Sequence, residues 1–515
     1  MSDGYGSKLV EGQTSALERV TTGVVGLSIV SCLLGMTSIL RWTTESTEFL
    51  GVSLFDFFAI GLLAMGLTLV VIGVASRTGM VETQPDRNVG AFTAVAIGAI
   101  SAVVVGLVVS QTLGLGTLVS VLAALVAGAA TTLAMLLVRE DIGSTVPIGV
   151  LTAVVGVLVV TGVLGPEWSW DPEAFTATFN GTIVIPALTV FCGLLSAWAA
   201  AKANEGFGTR GRQNGAYLLI GLNAFGMLAI LAGLIVFIAS KGIGPVLEGV
   251  QLGAGFDWPF VTNGYTLSPN EPNGVFPAIV GTFWVVLGAV LLAVPLGIGA
   301  AVFLTEYAEQ GRFTAVVEVA TNGLWSTPSV VFGLFGYAFL VPRLGNNTSL
   351  LAGMLVLGFM LLPLVVITSR EALISVPDEY RDASAALGVS QWETIRSVVV
   401  PAALPGVATG VILGVGRIAG ETAPILLVMT GGLRDNAPNI LGSFEFTSSP
   451  PFVANDALLQ SAPALPYQLY ATITAGVSGD ESFGWATALV LLLVVLSFYA
   501  VGIASRFYFR RKLHQ

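Results

Sequence analysis

The chain has 515 residues, of which 54% are hydrophobic and only 10% are charged, whereas soluble domains carry about 25% charged residues. It contains one histidine and two cysteines, too few for a zinc or iron site, so we expect neither a metal nor a cofactor. No Gly-Lys pair occurs, so the chain has no P-loop for ATP, and at a formal charge of −10 we expect no nucleic-acid partner.

Six long apolar runs occupy the first part of the chain. Each has roughly the 20 residues that an α-helix needs to cross a bilayer, and the runs are too long and unbroken for a membrane β-barrel. The predicted spans are Val20–Leu40, Phe55–Ala75, Val89–Ser110, Thr117–Val138, Val146–Gly165 and Gly181–Ala201. Residues 1–208 are therefore predicted to form an N-terminal extension of about six transmembrane helices, for which the sequence indicates no role.

A polar, glycine-rich stretch from Lys202 to Gly215 follows, and it is a plausible linker between two domains. Six further apolar runs lie in residues 209–515, which we predict to be the functional domain. These spans are Ala216–Ala239, Phe276–Leu304, Leu324–Val341, Leu350–Thr368, Leu404–Thr430 and Trp485–Ala504. The predicted fold class is all-α: a polytopic helical membrane protein with about 12 transmembrane helices.

The lysine and arginine residues predict the orientation of these spans. With the N-terminus in the cytoplasm, sixteen of them fall in inside loops and tails and four in outside loops, and Arg417 stays within a span. Because such residues favour the cytoplasmic side, we expect a multi-pass protein of the cell membrane with both termini inside. The outside loops are acidic, which favours a source that lives in high salt.

A long inside loop, residues 371–405, is predicted to contain two short helices. Gly388 ends the first helix in this prediction, because glycine readily takes the left-handed conformation found at helix ends. Ser390 and Glu393 have the spacing of a capping box, which predicts the start of the second helix. Pro401 and Pro405 are expected to end it.

The run GVGRIAGETAPIL, Gly414 to Leu426, places Arg417 and Glu421 inside an apolar segment. A lone charge at mid-membrane costs about 2.5–3.5 kcal/mol, so such residues face a bundle interior or a cavity. One interpretation is a structural pair in which the two charges neutralise each other. The other is a transient anion site, in which the arginine fork binds an oxyanion and the carboxylate accepts a proton from a phosphate hydroxyl.

Ser326, Thr327 and Ser329 surround Pro328 near another predicted span. If this segment starts a helix, its free backbone N–H groups would contribute to the same anion pathway. Together with Arg417 and Glu421, these three residues are the predicted substrate pathway.

The inside loop resembles the EAA loop of ABC importer permeases. The family pattern is E-A-A, three residues, Gly, nine residues and I-x-L-P. The corresponding residues here are Asp382, Ala383, Ser384, Gly388, Val398, Val400 and Pro401. In the family this loop docks on the cytoplasmic ATPase subunit, so the resemblance implies that these residues form an ATPase-coupling loop.

Three further segments resemble PstA-type permeases of phosphate ABC importers. They are STPSVVFGLFG (Ser326–Gly336), GRIAGETAPILL (Gly416–Leu427) and ALPYQLY (Ala464–Tyr470). The resemblance covers about residues 216–512 and leaves out the first six spans. It implies that residues 209–515 contain a type I ABC importer permease core of about six helices.

The resemblance implies a membrane transport subunit and not an enzyme, because ATP hydrolysis would occur on a separate subunit. The implied partners are a dimer of cytoplasmic ATP-binding subunits, a second related permease, an extracytoplasmic phosphate-binding protein, inorganic phosphate and membrane lipid. The outer segments Ser240–Val275 and Gly431–Gly484 are the expected contacts of the binding protein.

Two alternatives stay open at this point. One is a permease of the same kind for another oxyanion, such as sulfate, molybdate or phosphonate. The other is a secondary transporter driven by an ion gradient, which should have several intramembrane carboxylates and paired broken helices in its two halves.

Overall fold

The computed structural model describes residues 15–49, 51–172, 178–252, 256–266, 273–309, 311–430, 432–448, 452–474, 476 and 481–513. The chain divides into two compact units, Met1–Leu231 and Ala232–Gln515. The division falls inside the helix Gly208–Leu247, whose first residues belong to the predicted linker. A domain boundary near residue 208 stays a prediction.

The helices of the first unit follow one another through short loops. They are α1 (Ala16–Ile39), α2 (Leu54–Arg77), α3 (Ala91–Leu107, with a π-helical extension Val108–Thr112), α4 (Thr117–Met135), α5 (Glu140–Val160), α6 (Gly181–Asn204) and the first part of α7 (Gly208–Leu247). Helix α1 packs along α6, α2 along α5 and α3 along α4. A Cβ atom on Gly66 of α2 would lie 2.5 Å from the backbone nitrogen of Ala153 in α5, so only glycine permits this close helix contact.

The second unit contains the remaining helices. They are α8 (Pro259–Thr262), α9 (Phe276–Val302), α10 (Arg312–Ser326), α11 (Ser329–Phe335), α12 (Leu350–Ile374), α13 (Asp378–Ala386), α14 (Gln391–Thr394), α15 (Val400–Ala419), α16 (Ala423–Val428), α17 (Asp456–Leu459), α18 (Leu465–Ile473) and α19 (Glu481–Leu513). π-Helical turns extend α9 (Phe303–Tyr307) and α11 (Gly336–Leu340) and join α14 to α15 (Ile395–Val399), and 3-10 turns occur at Val341–Leu344 and Leu441–Ser443. The largest core cluster includes Val285 of α9, Leu357 of α12, Ile418 of α15 and Val428 of α16.

Four antiparallel hairpins of two- or three-residue strands are the only sheets in the described residues. They pair β1 (Glu48–Phe49) with β2 (Val52–Ser53), β3 (Ser169–Trp170) with β4 (Phe179–Asn180), β5 (Gln251–Leu252) with β6 (Phe256–Asp257) and β7 (Phe444–Phe446) with β8 (Val453–Asn455). Eleven helices of the described chain are long and apolar enough to cross a membrane, and α10 with α11 makes a twelfth if this bent pair is one span. The predicted all-α polytopic fold is confirmed.

Candidate functional site

Two predicted spans are broken. The span predicted at Leu324–Val341 consists of α10 and α11, which meet at an angle of 100° around Thr327 and Pro328. The hydroxyls of Ser326 and Thr327 both donate to the carbonyl of Gly323, at 2.9 and 2.8 Å, and so satisfy an acceptor in the last turn of α10. Ser326 therefore ends one helix, and Ser329 begins the next.

The second break follows Arg417. Helix α15 ends at Ala419 and α16 starts at Ala423, with Pro424 in its first turn. A proline lacks an N–H donor and fits the first turn of a helix, so Pro424 starts a new helix here and the span is interrupted rather than kinked.

The two short helices beyond the breaks pack against each other. A Cβ atom on Gly333 of α11 would lie 2.8 Å from the Cα atom of Pro424 in α16. Gly336 lies equally close to Val428, since a Cβ there would be 2.9 Å from a Val428 methyl carbon. The glycines of the FGLFG segment thus let α11 approach α16, and this contact brings the two breaks together.

Arg417 lies between the two breaks. Its Nε is 3.9 Å from Oε1 of Glu421, and its Cζ is 4.2 Å from the ring centroid of Trp325, the residue that precedes Ser326. At 3.9 Å the ion pair is too long for a hydrogen bond. The Arg417 side chain keeps 36% of its surface exposed and, within the described residues, makes no hydrogen bond. Its N–H donors are therefore available to another group.

Trp325 was not predicted as a site residue. Its contact with Arg417 depends on the bend between α10 and α11, and a bend of 100° inside an apolar run has no clear signature in the sequence beyond Pro328.

One face of α10 connects this site to a second ion pair. Glu318, Asn322 and Trp325 have the spacing i, i+4 and i+7, which places them on one side of the helix. Glu318 pairs with Arg370 of α12, and both line a cavity of about 110 Å³ together with Asn322. The Nε of Arg370 is buried and has no hydrogen-bond partner in the described residues. This side of α10 is thus polar between the two arginines.

The predicted coupling loop has the expected start but not the expected end. Helix α13 carries Asp382, Ala383 and Ser384, and Gly388 follows it with φ at +75°. The Ser390 hydroxyl accepts from the backbone N–H of Glu393, as the capping box predicts.

The prediction that Pro401 and Pro405 end the second helix was wrong. The helix continues from Gln391 to Ala419 over 29 residues. The π-helical turn Ile395–Val399, which contains Val398, directly precedes Val400 and Pro401. Such a wider turn accommodates a proline that lacks an N–H and crowds the preceding turn. One helix therefore joins the coupling loop to Arg417.

The coupling loop presents an apolar surface. Leu387, Trp392 and Tyr380 are 83%, 60% and 55% exposed. A groove of about 950 Å³ lies along the loop and is lined in part by Ala383 and Val398. Exposed aromatic and aliphatic side chains around a groove are typical of a protein-binding surface.

Interrupted spans that meet at a charged pair are typical of multi-pass membrane transport proteins. Residues 293–515 match the family described as the binding-protein-dependent transport system inner membrane component. The phosphate transport system permease protein PstA of Haemophilus influenzae is 33% identical over 247 residues, which is 48% of this chain and 79% of that protein. The chain belongs to this permease family.

Other known proteins are also similar. The phosphate transport system permease protein PstA of Xylella fastidiosa is 36% identical over 231 residues, 45% of this chain and 74% of that protein. The inward-facing structure of the MetNI methionine ABC transporter covers 46% of this chain and 94% of that chain, at 17% identity and a TM-score of 0.35.

Proposed function

We propose that the chain is the transmembrane permease subunit of an ATP-driven phosphate importer. The observation that carries this proposal is the single helix from Gln391 to Ala419, which starts in the coupling loop and ends beside Arg417 and Glu421. A force on the loop would reach the charged pair through one rigid element. Relatives named as phosphate transport system permeases support phosphate as the substrate.

Arg417 is the proposed phosphate ligand. A guanidinium binds two phosphate oxygens with its planar fork, and the N–H donors of Arg417 are not used by other described residues. Glu421 lies close enough to Arg417 to accept a hydrogen bond from the hydroxyl of a phosphate bound there. It would repel sulfate, which has no proton at neutral pH. The same carboxylate weakens anion binding overall and so favours release.

Ser326, Thr327 and Ser329 are proposed to line the same route, because they surround the α10–α11 break next to Trp325. The hydroxyl O–H groups of Ser326 and Thr327 donate to the carbonyl of Gly323, and the hydroxyl oxygens keep lone pairs that would accept from a protonated phosphate. Glu318, Asn322 and Arg370 extend the polar face along α10.

The coupling loop is proposed to bind the ATPase subunit. Its residues are Asp382, Ala383, Ser384, Gly388, Val398, Val400 and Pro401. The exposed groove along this loop would receive the apolar surface of the partner, and ATP hydrolysis would occur on that partner.

The transporter would further contain a second related permease, a dimer of ATPase subunits and an external phosphate-binding protein. In this arrangement both termini lie in the cytoplasm, residues 209–515 form the permease domain, and the segments Ser240–Val275 and Gly431–Gly484 face outward. Parts of both outer segments, residues 253–255, 267–272, 431, 449–451, 475 and 477–480, lie outside the described residues.

The test is phosphate uptake by the complete transporter in vesicles, with sulfate as competitor. Arg417→Ala and the double variant Arg417→Ala/Glu421→Ala should both abolish uptake while assembly stays normal. Arg343→Ala is the matched control, because Arg343 also lies on an aromatic ring, 3.7 Å from the ring centroid of Phe339, but belongs to the 3-10 turn Val341–Leu344 and to neither break. Native uptake by the double variant would contradict the anion site and would mean that Arg417 and Glu421 form only a structural pair.

A further inference from the structure

Glu306 holds both short helices of the coupling loop at the end of α9. It lies in the π-helical turn Phe303–Tyr307, which completes this helix. Its Oε1 accepts from Nη2 of Arg381 at 2.8 Å, and its Oε2 accepts from Nε of Arg381 at 3.3 Å. Arg381 belongs to α13. A two-bond contact of this kind fixes orientation as well as distance.

A second bond reaches the other helix of the loop. The side-chain amide of Gln391, the first residue of α14, donates to the backbone carbonyl of Glu306 at 2.7 Å. Carbonyls in the last turn of a helix lack partners within that helix, so Gln391 satisfies an acceptor that α9 leaves open. One residue of α9 is thus bonded to α13 and to α14.

The ion pair is protected from solvent on the α9 side. The Glu306 side chain is only 8% exposed, and that of Arg381 is 23% exposed. The carboxylate of Glu306 raises the pKa of Arg381, so this guanidinium stays charged. Arg381 also donates to the carbonyls of Val376 and Leu373, at 2.9 and 3.2 Å, which locks its side chain at the α12–α13 corner.

The N-terminal part of α9, at the other end of the helix from Glu306, contacts the second broken span. Val285 of α9 and Met429, which directly follows α16, belong to the same buried cluster. A Cβ atom on Gly281 would lie 3.8 Å from Cε of Met429. Helix α9 therefore contacts the coupling loop at one end and the end of α16 at the other.

We infer that Glu306 is a positioning residue that makes α9 move with the coupling loop, as a second mechanical route to the second broken span beside the helix Gln391–Ala419. This inference rests on the proposed function. Without the Glu306 contacts, α13 would move without α9. The transporter would then move less phosphate for each ATP hydrolysed.

The test measures phosphate transported per ATP hydrolysed by the complete transporter in vesicles. Glu306→Gln keeps the backbone acceptor for Gln391 but removes the ion pair. We expect this ratio to fall about five- to tenfold, within the usual range of coupling between distant sites, while ATP hydrolysis and subunit assembly persist. Gln391→Ala, which removes one neutral hydrogen bond, should lower the ratio less.

Asp378→Asn is the matched control. Asp378 is the other carboxylate bonded to Arg381, at 3.2 Å, but its side chain is 92% exposed, so its loss should leave the ratio unchanged. The charge reversal Glu306→Arg/Arg381→Glu should restore part of the ratio. A native ratio in both Glu306→Gln and Gln391→Ala would overturn the inference. A native complex that moves no phosphate would instead overturn the proposed function.

Discussion

Trp325 contacts Arg417, the proposed phosphate ligand. The Cζ atom of Arg417 lies over the Trp325 ring, 4.2 Å from its centroid. Such a contact contributes about 0.5–2 kcal/mol, more where water is excluded. If Arg417 binds phosphate as proposed, this contact would restrict the guanidinium before phosphate arrives and so lower the conformational entropy lost on binding.

Replacing Trp325 should therefore weaken phosphate binding without removing the charge. We expect Trp325→Ala to raise the phosphate concentration for half-maximal uptake by about two- to tenfold, and Trp325→Phe to raise it less, because phenylalanine keeps a weaker ring contact. Uptake is measured over a range of phosphate concentrations supplied to the transporter in vesicles. Equal affinity in all three proteins would show that the ring does not orient Arg417.

Glu421 should decide between phosphate and sulfate. Glu421→Gln keeps the size of the side chain but offers an amide donor to an oxyanion in place of a negative charge. The free energy of sulfate binding should become more favourable by about 1–3 kcal/mol, the range for a buried polar group that loses its partner, so sulfate should compete more strongly. Phosphate release should slow. The measurement is phosphate uptake with increasing sulfate. Unchanged competition would assign Glu421 a structural role only.

Sequence reasoning found Arg417 and Glu421 because charges are conspicuous in an apolar run. It could not find Trp325 or Glu306, for different reasons. A tryptophan in an apolar segment has no polarity that marks it, and Glu306 follows a span as an ordinary charged residue. Their proposed roles rest on contacts with residues far along the chain: Trp325 contacts Arg417, 92 positions away, and Glu306 contacts Arg381, 75 positions away. A local sequence pattern cannot indicate contacts between residues so far apart in the chain.

At the level of elements, Gly388 sets the angle between the two helices of the coupling loop. Its φ of +75° is left-handed, and a Cβ added there would meet no atom within 4 Å. The need for glycine is therefore conformational and not steric. The sequence pattern predicted this helix end correctly, because a left-handed residue at a helix end has a strong local preference for glycine.

Gly388→Val should stop transport while the permease still inserts. A non-glycine residue pays roughly 1–2 kcal/mol in the left-handed region, so α13 and α14 would change their relative orientation. Gly388→Asn is the control, because asparagine tolerates this conformation, and it should keep most uptake. Membrane insertion and ATP-dependent uptake are compared for both. Native uptake with valine would exclude the glycine as a determinant of coupling.

Pro401 and Pro405 show where local rules fail. In a soluble helix each would remove a hydrogen bond and favour an end, and the sequence prediction followed that rule. In this chain the π-helical turn Ile395–Val399 and the packing of Val407 and Ala403 in a buried cluster keep the helix continuous. Whether a proline ends a membrane helix depends on tertiary packing, which cannot be read from the local sequence pattern.

At the scale of the molecule, the first unit has a core of its own with charged groups inside. Glu140 of α5 is completely buried. Its carboxylate accepts from the backbone N–H groups of Asp86 and Gly208, at 3.1 and 2.9 Å, and from Nη1 of Arg212 at 3.3 Å. One carboxylate thus joins the α2–α3 loop, α5 and the start of α7.

A buried lysine adds to this cluster of polar contacts. Lys202 of α6 donates to the hydroxyls of Thr93 and Ser144, at 2.9 and 3.0 Å, and lies 4.7 Å from the ring centroid of Trp198. The sequence placed both Lys202 and Glu140 outside the predicted spans, so it gave no reason to expect them in a core. Their burial follows from the way in which α3, α5 and α6 meet.

Glu140→Gln should therefore destabilise the first unit. Glutamine can still accept from the two N–H groups through its carbonyl oxygen, but its amide then faces the guanidinium of Arg212, a donor against a donor. Hydrogen bonds to charged groups contribute about 1.5–3 kcal/mol, and we expect a loss in this range. Asp86→Asn is the matched control: Asp86 pairs with the same Arg212, but its side chain is 49% exposed, so its loss should cost at most about 1 kcal/mol. Thermal unfolding of the purified chain in detergent measures both. Equal melting temperatures for the two variants would show that burial of Glu140 contributes nothing to the stability of this unit.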